Sequence, residues 1–141
     1  MKSLAKVTIV AASLILSACS SDSNNIMQPE MPTVTPPSFN ISSVNAQFAD
    51  GTDGIQFFAR PSKDISLIRV EVTNPLNNGV TVNAGGEVFL TDEVMELQDT
   101  GFIYFRVSGS WKFRFVGNLE PGKEAFDVTQ SVNVSAKTAA R

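Results

Sequence analysis

The sequence predicts an all-β sandwich of about seven to nine short antiparallel strands, preceded by a flexible tether. Three observations carry this reading. Between residues 38 and 136, apolar and polar residues alternate in short runs. Gly, Pro, Asn and Asp interrupt those runs at regular intervals. No stretch in that region repeats apolar residues at helical spacing.

Taken in order, Phe39 and Ile41 share one phase and Val44, Ala46 and Phe48 the other, so a bulge or kink is expected near Ser42 and Ser43. Asp50-Gly51-Thr52-Asp53-Gly54 is a turn. It offers oxygen donors, but Gly54 stands where a calcium loop needs its fifth donor. Residues 55–60 form a strand closed by Pro61. In residues 65–73, Ile68, Val70 and Val72 share a face, with Arg69, Glu71 and Thr73 opposite. Asn74-Pro75 ends that strand and Asn78-Gly79 signals a hairpin. Val80 and Val82 follow, then a Gly85-Gly86 turn, then a strand over 88–90. Residues 94–97 read either as a short strand or as a single helical turn. Residues 102–107 and 111–116 are strands, and in residues 126–135 Phe126, Val128, Val132 and Val134 face one way.

The loop Ser108-Gly109-Ser110 suggests a hairpin. A three-residue loop would set Val107 opposite Trp111, Phe105 opposite Phe113, and Ile103 opposite Phe115, so that one apolar face enters the core. Trp111 would then point inward rather than serve as a sugar-stacking platform. The outer face would gather Tyr104, Arg106, Lys112 and Arg114, the best candidate for binding an acidic partner, either a protein or an anionic glycan. The competing reading has acidic residues on adjacent strands neutralise these bases, with Tyr104 stacked under Arg114. Asp92, Glu93, Glu96 and Asp99 lie on one short segment and provide no cleft of the kind paired carboxylates need for glycoside hydrolysis. They read as a solvated acidic edge.

The amino-terminal end is of a different kind. Lys2 and Lys6 precede an apolar run from Val7 to Leu16, followed by small residues, which is the pattern of a secretory signal peptide over residues 1–18. The run is too short to span a bilayer, which takes about 20 apolar residues. Residues 19–37 are rich in Ser, Asn and Pro and read as a tether, about 60 Å long if fully extended. The domain follows over 38–136, with a tail over 137–141. Removal of residues 1–18 leaves nine basic and fourteen acidic residues, a balance that argues against nucleic-acid binding. The chain has no histidine, which excludes Ser-His-Asp and Cys-His nucleophile systems and histidine-ligated metals. Its one cysteine, Cys19, leaves the domain without a disulfide. No catalytic residue, metal site or cofactor is expected.

Leu16-Ser17-Ala18-Cys19 resembles the lipobox of bacterial lipoproteins. That resemblance implies cleavage between Ala18 and Cys19, a diacylglycerol on the Cys19 sulfur and a third acyl chain on its new amino terminus. Several acyl chains on one residue would make a stable membrane anchor. Ser20, where an aspartate would favour inner-membrane retention, leans toward the outer membrane. The segment 109–117 and the final strand resemble immunoglobulin-like and fibronectin-type-III-like domains of bacterial envelope proteins, over about residues 38–136. Asp99, Gly101 and Tyr104 resemble a tyrosine corner in which the tyrosine falls one residue late, and the disulfide of antibody domains is missing. Together these resemblances imply a non-catalytic cell-envelope lipoprotein, lipid-anchored through Cys19, whose immunoglobulin-like module binds or braces an envelope protein. The alternative is a surface module for a carbohydrate or anionic polysaccharide.

Overall fold

The computed structural model describes residues 33–138. The expected signal peptide, the Ala18–Cys19 cleavage and lipidation site, residues 19–32 of the expected tether and residues 139–141 lie outside the described residues. Eight strands follow in chain order: β1 (Phe39–Gln47), β2 (Asp53–Pro61), β3 (Ile65–Thr73), β4 (Gly79–Phe89), β5 (Met95–Glu96), β6 (Tyr104–Phe105), β7 (Gly109–Leu119) and β8 (Ala125–Val134). Among the described residues there is no helix. The chain is an all-β sandwich, as the sequence predicts. In the first sheet β1 pairs β2, and β5 and β6 both pair β2. The second sheet runs β4-β3-β7-β8, and every pairing in both sheets is antiparallel.

Aromatic side chains fill the space between the sheets. Phe57 of β2 lies with its ring centroid 4.9 Å from both Trp111 and Phe113 of β7. Phe39 of β1 stacks on Phe115 of β7 at 3.8 Å. Ile55, Ala59, Leu67, Val70 and Val72 complete the layer, all buried. Fully burying one such side chain contributes about 1.5–3 kcal/mol, and these contacts hold together a fold that has no disulfide. On one side the sheets are tied by Gln130 of β8, whose Oε1 accepts the Phe39 N–H at 2.7 Å. On the other side, β4 and β5 leave a cleft between them.

Several local expectations need correction. β1 has no bulge at Ser42-Ser43, because every residue from Phe39 to Gln47 has its own partner on β2. The phase change has another cause. Phe39 and Ile41 face the core, whereas Ser43, Asn45 and Gln47 run past its edge and are exposed. Phe48 instead stacks on Phe105, with centroids 4.6 Å apart, over Gly54, where an added Cβ would collide with Ile103.

The bulge sits in β3, between Leu67 and Arg69. It turns Ile68 outward and puts Leu67 into the core. Opposite it, Gly85 and Gly86 do not separate two strands. They take positive φ inside the single strand β4, at 62° and 88°, which glycine does at no steric cost. Residues 95–96 are strand rather than helix. The last part of the expected tether packs on the domain: Pro37 is buried, and Lys63 Nζ donates to the Thr35 carbonyl at 2.6 Å.

The largest correction concerns the expected hairpin of residues 102–107 and 111–116. β6 pairs β2 in the first sheet, and β7 pairs β3 and β8 in the second, so residues 106–108 carry the chain between sheets. Phe105 is 66% exposed and does not face Phe113. Alternation identifies which residues point inward, but any strand with a complementary face can supply the partner.

Candidate partner-binding surface

The outer face of the second sheet carries part of the expected basic group. Arg114 lies at the centre of β7, between Glu71 on β3 and Thr129 on β8. Its Nε and Nη2 donate to the two carboxylate oxygens of Asp127, at 2.8 and 2.6 Å, the two-pronged geometry in which arginine holds a carboxylate best. Its Nη1 donates to Glu71 at 3.0 Å, and Arg69 Nε donates to the other Glu71 oxygen at 2.9 Å. These contacts hold the Glu71 carboxyl below its usual range, first through Arg69 and then through Arg114. The Asp127 carboxyl is lowered through Arg114, and the Arg114 guanidinium is raised in turn, chiefly by Asp127. Lys112 is exposed, beside the uncharged Thr73 and Ser131.

The other two members of the expected group are elsewhere. Tyr104 is buried on the first sheet and does not lie under Arg114. Its hydroxyl donates to the Leu97 carbonyl at 2.6 Å, and burial, then the charge of Asp99, pushes its pKa up. Arg106 is half-buried between the sheets. Its Nη2 donates to the Ser135 carbonyl at 2.8 Å, and its Nε is buried without a partner. With Asn45, Gln47, Asp53 and Lys137 it lines an opening of about 380 Å³, across which Lys137 pairs with Asp53 at 2.7 Å. Tyr104, Arg106, Lys112 and Arg114 therefore do not form one surface, because the chain changes sheets between Arg106 and Gly109. The neutralising acids of the competing reading are present as Glu71 and Asp127; the Tyr104 stacking is not. Trp111 is 2% exposed, its Nε1 donating to the Val107 carbonyl at 2.8 Å, so it is core as expected.

The surface that lacks neutralisation is acidic. The segment joining β4 to β5 is pinned by hydrogen bonds. Asp64 Oδ1 accepts from both Thr91 N and Thr91 Oγ1, Glu93 Oε2 accepts the Leu90 N–H, and Asp92, at φ 64°, donates its N–H to the Pro61 carbonyl. The segment after β5 is pinned by the Leu97 N–H to the Phe57 carbonyl and by the Phe57 N–H to Gln98 Oε1, both at 3.0 Å. Glu87, Asp92, Glu93, Glu96 and Asp99 are all exposed here, and among the described residues none makes an ion pair. Arg60 reaches only the Asp92 backbone carbonyl, at 3.1 Å.

Leu90 and Val94 stand exposed beside these carboxylates, whereas Val88, opposite Ser66, is exposed on the other face of β4. Glu87, Glu96 and Asp99 line the cleft of about 300 Å³ between β4 and β5. Sequence reasoning saw Asp92, Glu93, Glu96 and Asp99 as one edge. It missed Glu87 and Gln98, which join them only through the pairing of β4 with β3 and the docking of residues 97–103 on β2. No group of three or more carboxylate or thiol side chains suited to a metal converges among the described residues. No protein-family model, curated protein or solved structure matches the chain.

Proposed function

We propose that this chain is a lipid-anchored, non-catalytic protein of the bacterial cell envelope, carrying an immunoglobulin-like module that binds or braces another envelope protein. The anchor reading rests on Leu16-Ser17-Ala18-Cys19 after the short apolar run, with Ser20 favouring the outer membrane. The module reading is supported by the strand order. A sheet of β1 and β2, with β5 and β6 sharing the next position, faces a sheet ordered β4-β3-β7-β8, and the buried Tyr104 hydroxyl bonds back to the Leu97 carbonyl in the manner of a tyrosine corner.

The observation that carries the protein-binding reading is the β4–β5 side, where the exposed aliphatics Leu90 and Val94 lie beside carboxylates without ion pairs. Exposed apolar surface rimmed by polar groups marks interaction sites. The experiment is isolation of the protein from membranes after in-cell crosslinking, with mass spectrometry of its amino terminus. A triacylated Cys19 terminus and a specific protein adduct are expected. An unmodified terminus at another residue would remove the anchor.

The second reading, a glycan-binding module, is favoured by one observation. Phe105 is largely exposed and stacked on Phe48 on the outer face of the first sheet, and an aromatic face of that kind suits a sugar ring. Loss of saccharide binding in Phe105→Ala would support it.

A further inference from the structure

We propose that the cleft between β4 and β5 receives a lysine or arginine side chain from an extended, basic segment of a protein partner. The inference rests on the protein-binding reading above and names the chemistry of the partner.

Charge complementarity supplies the first argument. Glu87, Glu96 and Asp99 line the cleft, Asp92 and Glu93 stand on the adjoining turn, and no base within the described residues pairs with any of them. A concentration of one sign at a single surface steers and selects a partner of the opposite sign. The cleft lining is mixed, with the buried Leu67, Val70 and Met95 beside polar residues such as Asn83 and Thr100. Lysine and arginine suit such a shape, since their methylene stems lie against apolar surface while the charged head stays at the polar rim. A small free cation would use the carboxylates and leave Leu90 and Val94 uncovered. A polypeptide covers them.

Gln98 supplies an independent argument. It is 3% exposed, the one non-aromatic polar side chain buried among the described residues, and it lines this cleft. Its Oε1 accepts the Phe57 N–H at 3.0 Å, which fixes which end of the amide is nitrogen. Its Nε2 has no partner. Buried donors are nearly always matched, and the missing group is an acceptor such as a peptide carbonyl. The acceptor and the cation are thus called for in one place.

The backbone explains why the segment should be extended. β4 is the outermost strand of its sheet, eleven residues long, and Glu87 is its only charged residue. Such an edge presents unpaired N–H and C=O groups to an incoming strand. A strand laid along β4 offers backbone carbonyls and, at alternate positions, a basic side chain.

The probe is a synthetic peptide of alternating lysine and valine, titrated against the full chain in detergent solution, with a glutamate–valine peptide as control. The lysine–valine peptide should bind, and binding should weaken steeply from about 0.05 to about 0.3 M salt as screening shortens. The double variant Glu87→Gln/Glu96→Gln should bind at least about tenfold more weakly, an effect of the size expected for close charge pairs. The charge-matched Glu71→Gln/Asp127→Asn on the other face should bind as the parent does. The Gln98 side-chain amide resonance should shift on titration. Equal weakening in both double variants, an unmoved Gln98 amide, or no preference for the basic peptide would overturn the proposal. A protein partner that the full chain retains but the peptide does not displace would overturn the cleft and leave the protein-binding reading standing. Saccharide binding without any protein partner would remove both.

Discussion

The two regions of the second sheet handle charge in opposite ways. On the outer face of β3, β7 and β8, Arg69 and Arg114 contact Glu71 and Asp127, and each charge has an opposite neighbour. Along the β4–β5 side, five carboxylates have none among the described residues. Paired charges of the first kind belong to the folded domain and leave little field for a visitor. Unpaired charges of one sign beside exposed aliphatics leave both a field and an apolar surface. The contrast shows that a count of bases is a poor guide to a binding patch. Arg106 and Arg114, which look available along the sequence, are already used, and the concentration of unpaired charge is on the acids.

This contrast can be sharpened by substitution. The largest effect should come from beneath the paired face. Phe113, fully buried against Phe57, should cost about 3–5 kcal/mol on truncation to alanine. That is enough to unfold much of a domain whose total stability is of the order of 5–15 kcal/mol. Val88→Ser on the β4 edge should change stability by less than about 0.5 kcal/mol, since Val88 is exposed there. Urea denaturation of the two variants gives the comparison, and equal losses would break it.

A smaller effect should follow from Arg114→Gln. Glu71 and Asp127 are held below their ordinary values of 4.5 and 3.8 in the folded chain, so their contribution is present above those values and is lost as pH falls through and below them. The difference in melting temperature between parent and Arg114→Gln should therefore be visible at neutral pH and vanish in acid. The network is exposed, so high salt should shrink the difference too. A difference that grows in acid would contradict the pairing. The smallest effect should be that of Lys112→Gln, since Lys112 has no charged lateral neighbour. Its melting temperature should match the parent's at every pH tested.

Much of the fold was legible because inward-facing positions repeat with period two. The last strand and the β7 segment were placed in this way, and Trp111 was correctly turned inward. What alternation does not carry is partnership. Tyr104 and Phe105 fit a hairpin with Phe113 and Arg114 on paper, yet β2 takes them, and the basic group divides between two sheets. The bulge escaped for a related reason. Ile68 looked like a core residue, whereas β3 carries one residue more than β7 here, which turns Ile68 outward where β4 passes it with residues 84–86. At the candidate site, four of the five acids stood close together in the sequence. Glu87 and Gln98 did not signal their role, because only the pairing of β4 with β3 and the docking of residues 97–103 on β2 bring them to one cleft.

The central claim is that the acidic β4–β5 side, rather than the basic outer face, meets the partner. A photo-crosslinking residue placed at position 94, in the lining of the cleft, and separately at position 112, in the full chain in intact cells tests this most directly. Both positions are exposed, so neither substitution should disturb the core. A discrete protein adduct from position 94 and none from position 112 is the predicted result. An adduct from position 112 alone would contradict the account.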